Sequence, residues 1–111
     1  MPKILEQQYD LSVSETEVVS INYSDVLDSG ELLTGTPTVT EVSTANLSLA
    51  NKLVSTATYV ESFSGETVAI GKAVQFTVST STAGLYQIRV SVATDSSPAR
   101  TLVRDLYVRF I

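Results

Sequence analysis

The chain has 111 residues, a formal net charge of −5, no cysteine and no histidine. Its length suits a single domain that buries roughly two-thirds of its unfolded surface. Without cysteine or histidine, disulfides, thiolate and imidazole metal sites, and Ser-His-Asp or Cys-His nucleophilic systems are excluded. The acidic balance argues against nucleic acid as a partner, because phosphate binding needs a basic surface.

Ser and Thr together number 29 and Val numbers 15, against one Met and no Trp. Val and Thr are stiff at χ1 and fit the pleated surface of a strand, and no long window favours a helix, so the expected class is all-β. The opening "MPKILEQQYD" has no apolar signal core, and no apolar run approaches the ~18 residues of a membrane helix. No membrane association is therefore expected.

In chain order, residues 1–15 are polar with scattered apolar side chains, and they read as an N-terminal arm or a first strand. Residues 16–111 read as the sandwich domain. "EVVSINYS" places Val19, Ile21 and Tyr23 on one face and Val18, Ser20 and Asn22 on the other. "DVLDSGELLTGTP" is dense in turn-formers, among them Asp28-Ser29-Gly30, Gly35 and Pro37, with room for a helical turn at Asp25–Leu27. Short strands are expected at 38–44, 46–54 and 56–63. Val74, Phe76 and Val78 continue in phase after Gly71, which marks a bulge or a strand end.

In "AGLYQIRVSVAT", Tyr86, Ile88, Val90 and Val92 face one way and Gln87, Arg89 and Ser91 the other. "TLVRDLYVRFI" pairs with it as a hairpin, Leu106, Val108 and Phe110 inward and Asp105, Tyr107 and Arg109 outward. Arg104 falls in phase with Leu102 and Leu106, which sets it either at a rim or against the phase assignment. Seven or eight antiparallel strands with turns every 8–12 residues indicate an immunoglobulin-like β-sandwich. Gly84 before Tyr86 matches a tyrosine corner, in which the ring packs in the core and the hydroxyl reaches loop backbone.

Candidate chemistry is sparse. "SDVLDSGE" gathers Asp25, Asp28 and Glu31, but its spacing is not that of an EF-hand, and it reads as a solvated turn in which Asp28 or Ser29 caps local backbone. The expectation is a non-enzymatic chain with no metal and no cofactor. Charge is split: residues 1–66 hold ten acidic groups against Lys3 and Lys52, whereas 67–111 hold two against Lys72, Arg89, Arg100, Arg104 and Arg109. Either neighbouring strands pair these charges, or complementary faces dock copies or partners. The candidate docking surface comprises Ile4, Leu5 and Tyr9 of the leading segment with Arg89 and Arg109.

The stretch "VVSINYSDVLDSGELLTGTPTVT", followed by "STAGLYQIRVSVATDSSPARTLVRDLYVRF", resembles small immunoglobulin-like virion proteins of tailed bacteriophages, of the fiber-tail adaptor or capsid-decoration type. The likeness covers roughly residues 17–111. It implies a non-enzymatic structural protein that binds phage capsid, neck or tail proteins, as a monomer or a homo-oligomer, in a virion assembled in the host cytoplasm. The alternative is a carbohydrate-binding or adhesive module of the same fold.

Overall fold

The computed structural model describes residues 8–42, 46–60 and 65–111. Among these residues nine strands follow in order: β1 (Gln8–Leu11), β2 (Glu17–Asn22), β3 (Leu33–Glu41), β4 (Ser48–Val54), β5 (Tyr59–Val60), β6 (Thr67–Val68), β7 (Ala73–Ser79), β8 (Gly84–Thr94) and β9 (Thr101–Phe110). They form a four-stranded sheet ordered β1-β9-β8-β3, a three-stranded sheet ordered β2-β7-β4, and the small β5-β6 hairpin. The described residues contain no helix, and the protein is the all-β sandwich its composition indicates.

The two sheets face each other across one core. Val19, Ile21, Tyr23, Val74, Phe76 and Val78 come from the smaller sheet, and Val39, Tyr86, Ile88, Val90, Leu106, Val108 and Phe110 from the larger. These are the in-phase rows of the period-two pattern, and burial against the opposite sheet is what selects their register. The β8–β9 hairpin is the most extensive pairing, from Gly84 opposite Phe110 to Ala93 opposite Thr101. Tyr86 makes the expected corner: its hydroxyl donates to the Thr82 carbonyl at 2.6 Å, and its ring meets Phe110 edge-on, centroids 6.1 Å apart.

Several expectations are corrected. β1 is parallel to β9, with Gln8 opposite Tyr107 and Leu11 opposite Phe110. Residues 12–16 carry the chain from one sheet to the other, so β1 joins β9 without a hairpin. The strand expected from residue 38 starts at Leu33 and carries Gly35 and Pro37 inside it. Thr34 pairs with Ala93 and Thr38 with Ser91, so residues 35–37 face Val92 alone. Gly35 takes φ +77° there, a conformation that a side chain would strain, and buried Pro37 donates no ladder bond.

Residues Ser24–Val26 form a plain turn closed by Val26 N–H to the Tyr23 carbonyl at 3.0 Å, with no helical turn. Of the strand expected over 56–63, Tyr59–Val60 is strand and residues 56–58 are not, while 61–64 lie outside the described residues. Gly71 neither bulges a strand nor ends one: β6 stops at Val68, and Gly71 sits at φ +80° in the turn that leads to β7.

Candidate interaction surfaces

β3 and β4 lie together along one side of the sandwich, which leaves β2 and the β1–β9 edge on the other. The loops after β2, β6 and β8 gather at one end, and those after β1, β3 and β7 at the opposite end.

The first end is knit by Glu31, which the sequence reading left in solvent. Its side chain is only 3% exposed. It accepts from Arg100 Nε at 3.2 Å, from Arg100 Nη2, and from the Asp28 backbone N–H at 2.9 Å. Arg100 Nη2 also donates to the Val26 carbonyl at 2.9 Å. The Arg100 hydrogen bonds hold the Glu31 carboxyl far below its ordinary range, with smaller contributions from the Asp28 N–H and the Ser96 and Thr94 hydroxyls. Leu32 N–H reaches Asp95 Oδ1 at 2.9 Å, and Asp95 N–H reaches the Leu32 carbonyl at 2.9 Å. The loop caps itself through Glu31 rather than through Asp28 or Ser29, because the chain following Gly30 turns inward beneath Arg100.

On the outer face of the four-stranded sheet, the neighbouring strands β8 and β9 pair charge at Arg89 and Asp105. Arg89 grips Asp105 two-fold, Nε to Oδ1 at 2.9 Å and Nη2 to Oδ2 at 3.1 Å, while Gln87 adds a bond at 3.1 Å. The hydrogen bond from Arg89 lowers the Asp105 carboxyl against some desolvation. Around this pair stand exposed apolar side chains, Leu85 at 57%, Val103 at 47% and Tyr107 at 41%. Arg109 is exposed on the same face, opposite Leu85. Ile4 and Leu5 lie outside the described residues, and Tyr9 is described only by its backbone in β1, opposite Val108.

Arg104 keeps its phase and enters the side of the sandwich. Its guanidinium carbon stands 5.7 Å from the centroid of the Tyr23 ring, and Nη1 donates to the Val103 carbonyl at 2.9 Å. Arg104 Nε and the Tyr23 hydroxyl are buried with no hydrogen-bond partner. Burial pushes the Tyr23 phenol well above its ordinary range, the Arg104 charge only partly opposing it. Sequence gave one signal for this site, the cation standing in an apolar phase.

At the opposite end a shallow depression of about 350 Å³ is lined by Ser14, Thr16, Asn46, Ser48, Ser79, Thr80 and Ser81. These groups donate and accept hydrogen bonds but carry no charge at neutral pH. Among the described residues no cluster of acidic side chains is arranged to hold a metal ion, and no helix is long and apolar enough to cross a membrane.

The molecule is thus a two-layer β-sandwich domain that presents faces, an edge and braced loops. No family model and no curated protein matches the chain. Among solved structures, a nucleoside hydrolase-related hypothetical protein from Saccharophagus degradans, associated with carbohydrate metabolism, shares the fold. The superposition has a TM-score of 0.51 at 16% identity and covers 95% of this chain and 22% of that one. At such identity the likeness bears on the fold alone, and this chain spans about a fifth of that protein's length.

Proposed function

We propose that this chain is a non-enzymatic structural protein of a tailed-phage particle, an immunoglobulin-like sandwich that binds capsid, neck or tail proteins. The observation that carries this reading is the outer face of the four-stranded sheet. There Leu85, Val103 and Tyr107 stand exposed around the Arg89–Asp105 pair, the mixture of apolar, aromatic and arginine side chains found at protein interfaces. The β2-β7-β4 and β9-β8-β3 adjacencies and the Tyr86 corner support the immunoglobulin-like label. The resemblance carried by residues 17–111 supplies the phage context.

Function on this reading is association alone: binding buries sheet face on a symmetric lattice and needs no reacting group. Purified particles probed by quantitative mass spectrometry and immuno-electron microscopy test it. A fixed stoichiometry at the head, neck or tail is expected, and absence from intact particles overturns the reading.

The second reading, a carbohydrate-binding module, draws on the Saccharophagus neighbour's association with carbohydrate metabolism and on the hydroxyl-lined depression. Tyr107 is the one aromatic ring clearly exposed among the described side chains, which is little for a sugar platform. A reproducible hit on a glycan array would favour this second reading.

A further inference from the structure

We propose that the outer face of the four-stranded sheet docks a second copy of this chain face to face, about a two-fold axis that runs along the strands between β8 and β9. The inference rests on the assembly reading above and names one partner for the face that carries it.

The face is apolar at its flanks and charge-balanced at its centre. Leu85, Val103 and Tyr107 stand exposed on it. Val42, 44% exposed, joins them from the end of β3, where its N–H donates to the Gln87 carbonyl at 2.8 Å. Large apolar side chains gathered on one face mark a surface that another protein covers. Arg89 and Asp105 are the sixth of the ten cross-strand pairs that run from Gly84–Phe110 to Ala93–Thr101, so the ion pair sits at the middle of the hairpin. That ladder makes the face ~30 Å long, and three long strands make it ~14 Å wide. The projection is roughly 430 Å², and the side chains standing from it carry the accessible area towards the ~600 Å² per partner at which standard interfaces begin.

Charge selects a second copy over an unlike partner. The chain carries −5 overall, yet the charged side chains described on this face are Arg89, Asp105 and Arg109, so two copies meet here without setting acid against acid. Strands β8 and β9 hold opposite signs at the same level. Half a turn about an axis along the strands between them exchanges left for right and keeps the level. Arg89 of each copy then stands over Asp105 of the other, the reciprocity of an isologous contact. The twist between aligned sheets, ~30°, preserves this apposition close to the axis. The fork to Asp105 takes two of the five N–H donors of Arg89, and that side chain is 51% exposed. A second carboxylate above it completes a ring of alternating charges. An unlike partner would have to bring that alternation with it; a second copy carries it already.

Sedimentation velocity of the full chain, 11.9 kDa as a monomer, reads the association, and amide shifts of the labelled chain on dilution locate it. Self-association in the micromolar range is expected, with shifts concentrated at residues 85–91 and 103–109. Arg89→Asp and Asp105→Arg each set like charges over one another, and each should weaken self-association at least about tenfold. Mixed in equal amounts, the two variants oppose unlike charges again, position 89 of one to position 105 of the other, and should associate as the native chain does. Should either variant fail to fold, Leu85→Glu at its exposed position takes its place and should weaken the association likewise. The proposal is overturned if the native chain stays monomeric up to ~1 mM, if the shifts fall on the β2-β7-β4 sheet or the loops, if the mixed variants stay apart, or if Leu85→Glu changes nothing. A monomer that uses this face on a capsid, neck or tail protein overturns it too and leaves the assembly reading standing. A dimer absent from particles overturns the assembly reading and leaves the docking face standing.

Discussion

Two tyrosines make opposite predictions for the same substitution. Tyr86 and Tyr23 are both buried, at 3% and 0% exposure, and Tyr→Phe keeps both rings. At Tyr86 it removes a hydroxyl that donates to the Thr82 carbonyl at 2.6 Å. The net loss is about 1 kcal/mol, the usual worth of one intramolecular hydrogen bond. At Tyr23 it removes a hydroxyl with no partner. Leaving such a group desolvated costs about 1–3 kcal/mol, and the contact with Arg104 survives because a phenyl face also attracts a cation. Tyr86→Phe should therefore lower stability by about 1 kcal/mol, and Tyr23→Phe should raise it by a similar amount. Each shift corresponds to roughly 4 °C or somewhat more in Tm at this chain length. Urea unfolding followed by far-UV circular dichroism reads both, with unchanged m-values. If both variants move the same way, the reasoning about these hydroxyls fails.

Phe76, 1% exposed at the centre of the core, should lose about 3–5 kcal/mol on Phe76→Ala, measured by the same unfolding curves. Asn51 holds φ +53° at the β4 bulge, so Asn51→Val should cost about 1–2 kcal/mol while Asn51→Gly stays close to neutral. Acid should loosen the Glu31 end first. The Glu31 carboxyl is depressed in the folded chain, so its contribution is present above the unfolded carboxyl range and is lost as pH falls below about 4.5 towards the folded value. Glu31→Gln should flatten that part of the pH–stability profile, and hydrogen exchange of residues 24–32 and 95–100 should report it.

The hairpin of β8 and β9 was fully legible in the sequence because alternation alone sets which residues face the core. So was Tyr86, whose position after Gly84 defines its corner. The start of β3 was not: Gly35 and Pro37 read locally as a turn, and only pairing with β8 turns them into a bulge. Glu31 was misjudged for a related reason. Its surroundings in sequence, Asp28-Ser29-Gly30, are those of a solvated turn, whereas its partner Arg100 is brought in from the far side of the β8–β9 connection. Long-range pairing leaves no local pattern. The split of charge between the halves of the chain held only a trace of it, and Arg89–Asp105 lies wholly within the basic half. Of the candidate docking residues, Arg89 and Arg109 stand on the outer face as their phase indicates; Arg104 was noticed, but phase could not tell which neighbours surround it.

Arg104 is where local rules and the fold disagree most, and the balance of its interactions can be weighed. In its favour stand a contact with the Tyr23 ring and a bond to the Val103 carbonyl, each worth about 1 kcal/mol. Against it stand an unpartnered, buried Nε, costing about 1–3 kcal/mol, and desolvation of a charge with no carboxylate in salt-bridge reach among the described residues. Exchanging such a cation for an apolar side chain of similar length is commonly neutral or stabilising. Arg104→Met should accordingly hold or raise the stability of the isolated chain. A loss beyond about 1 kcal/mol would show that the residue is structural.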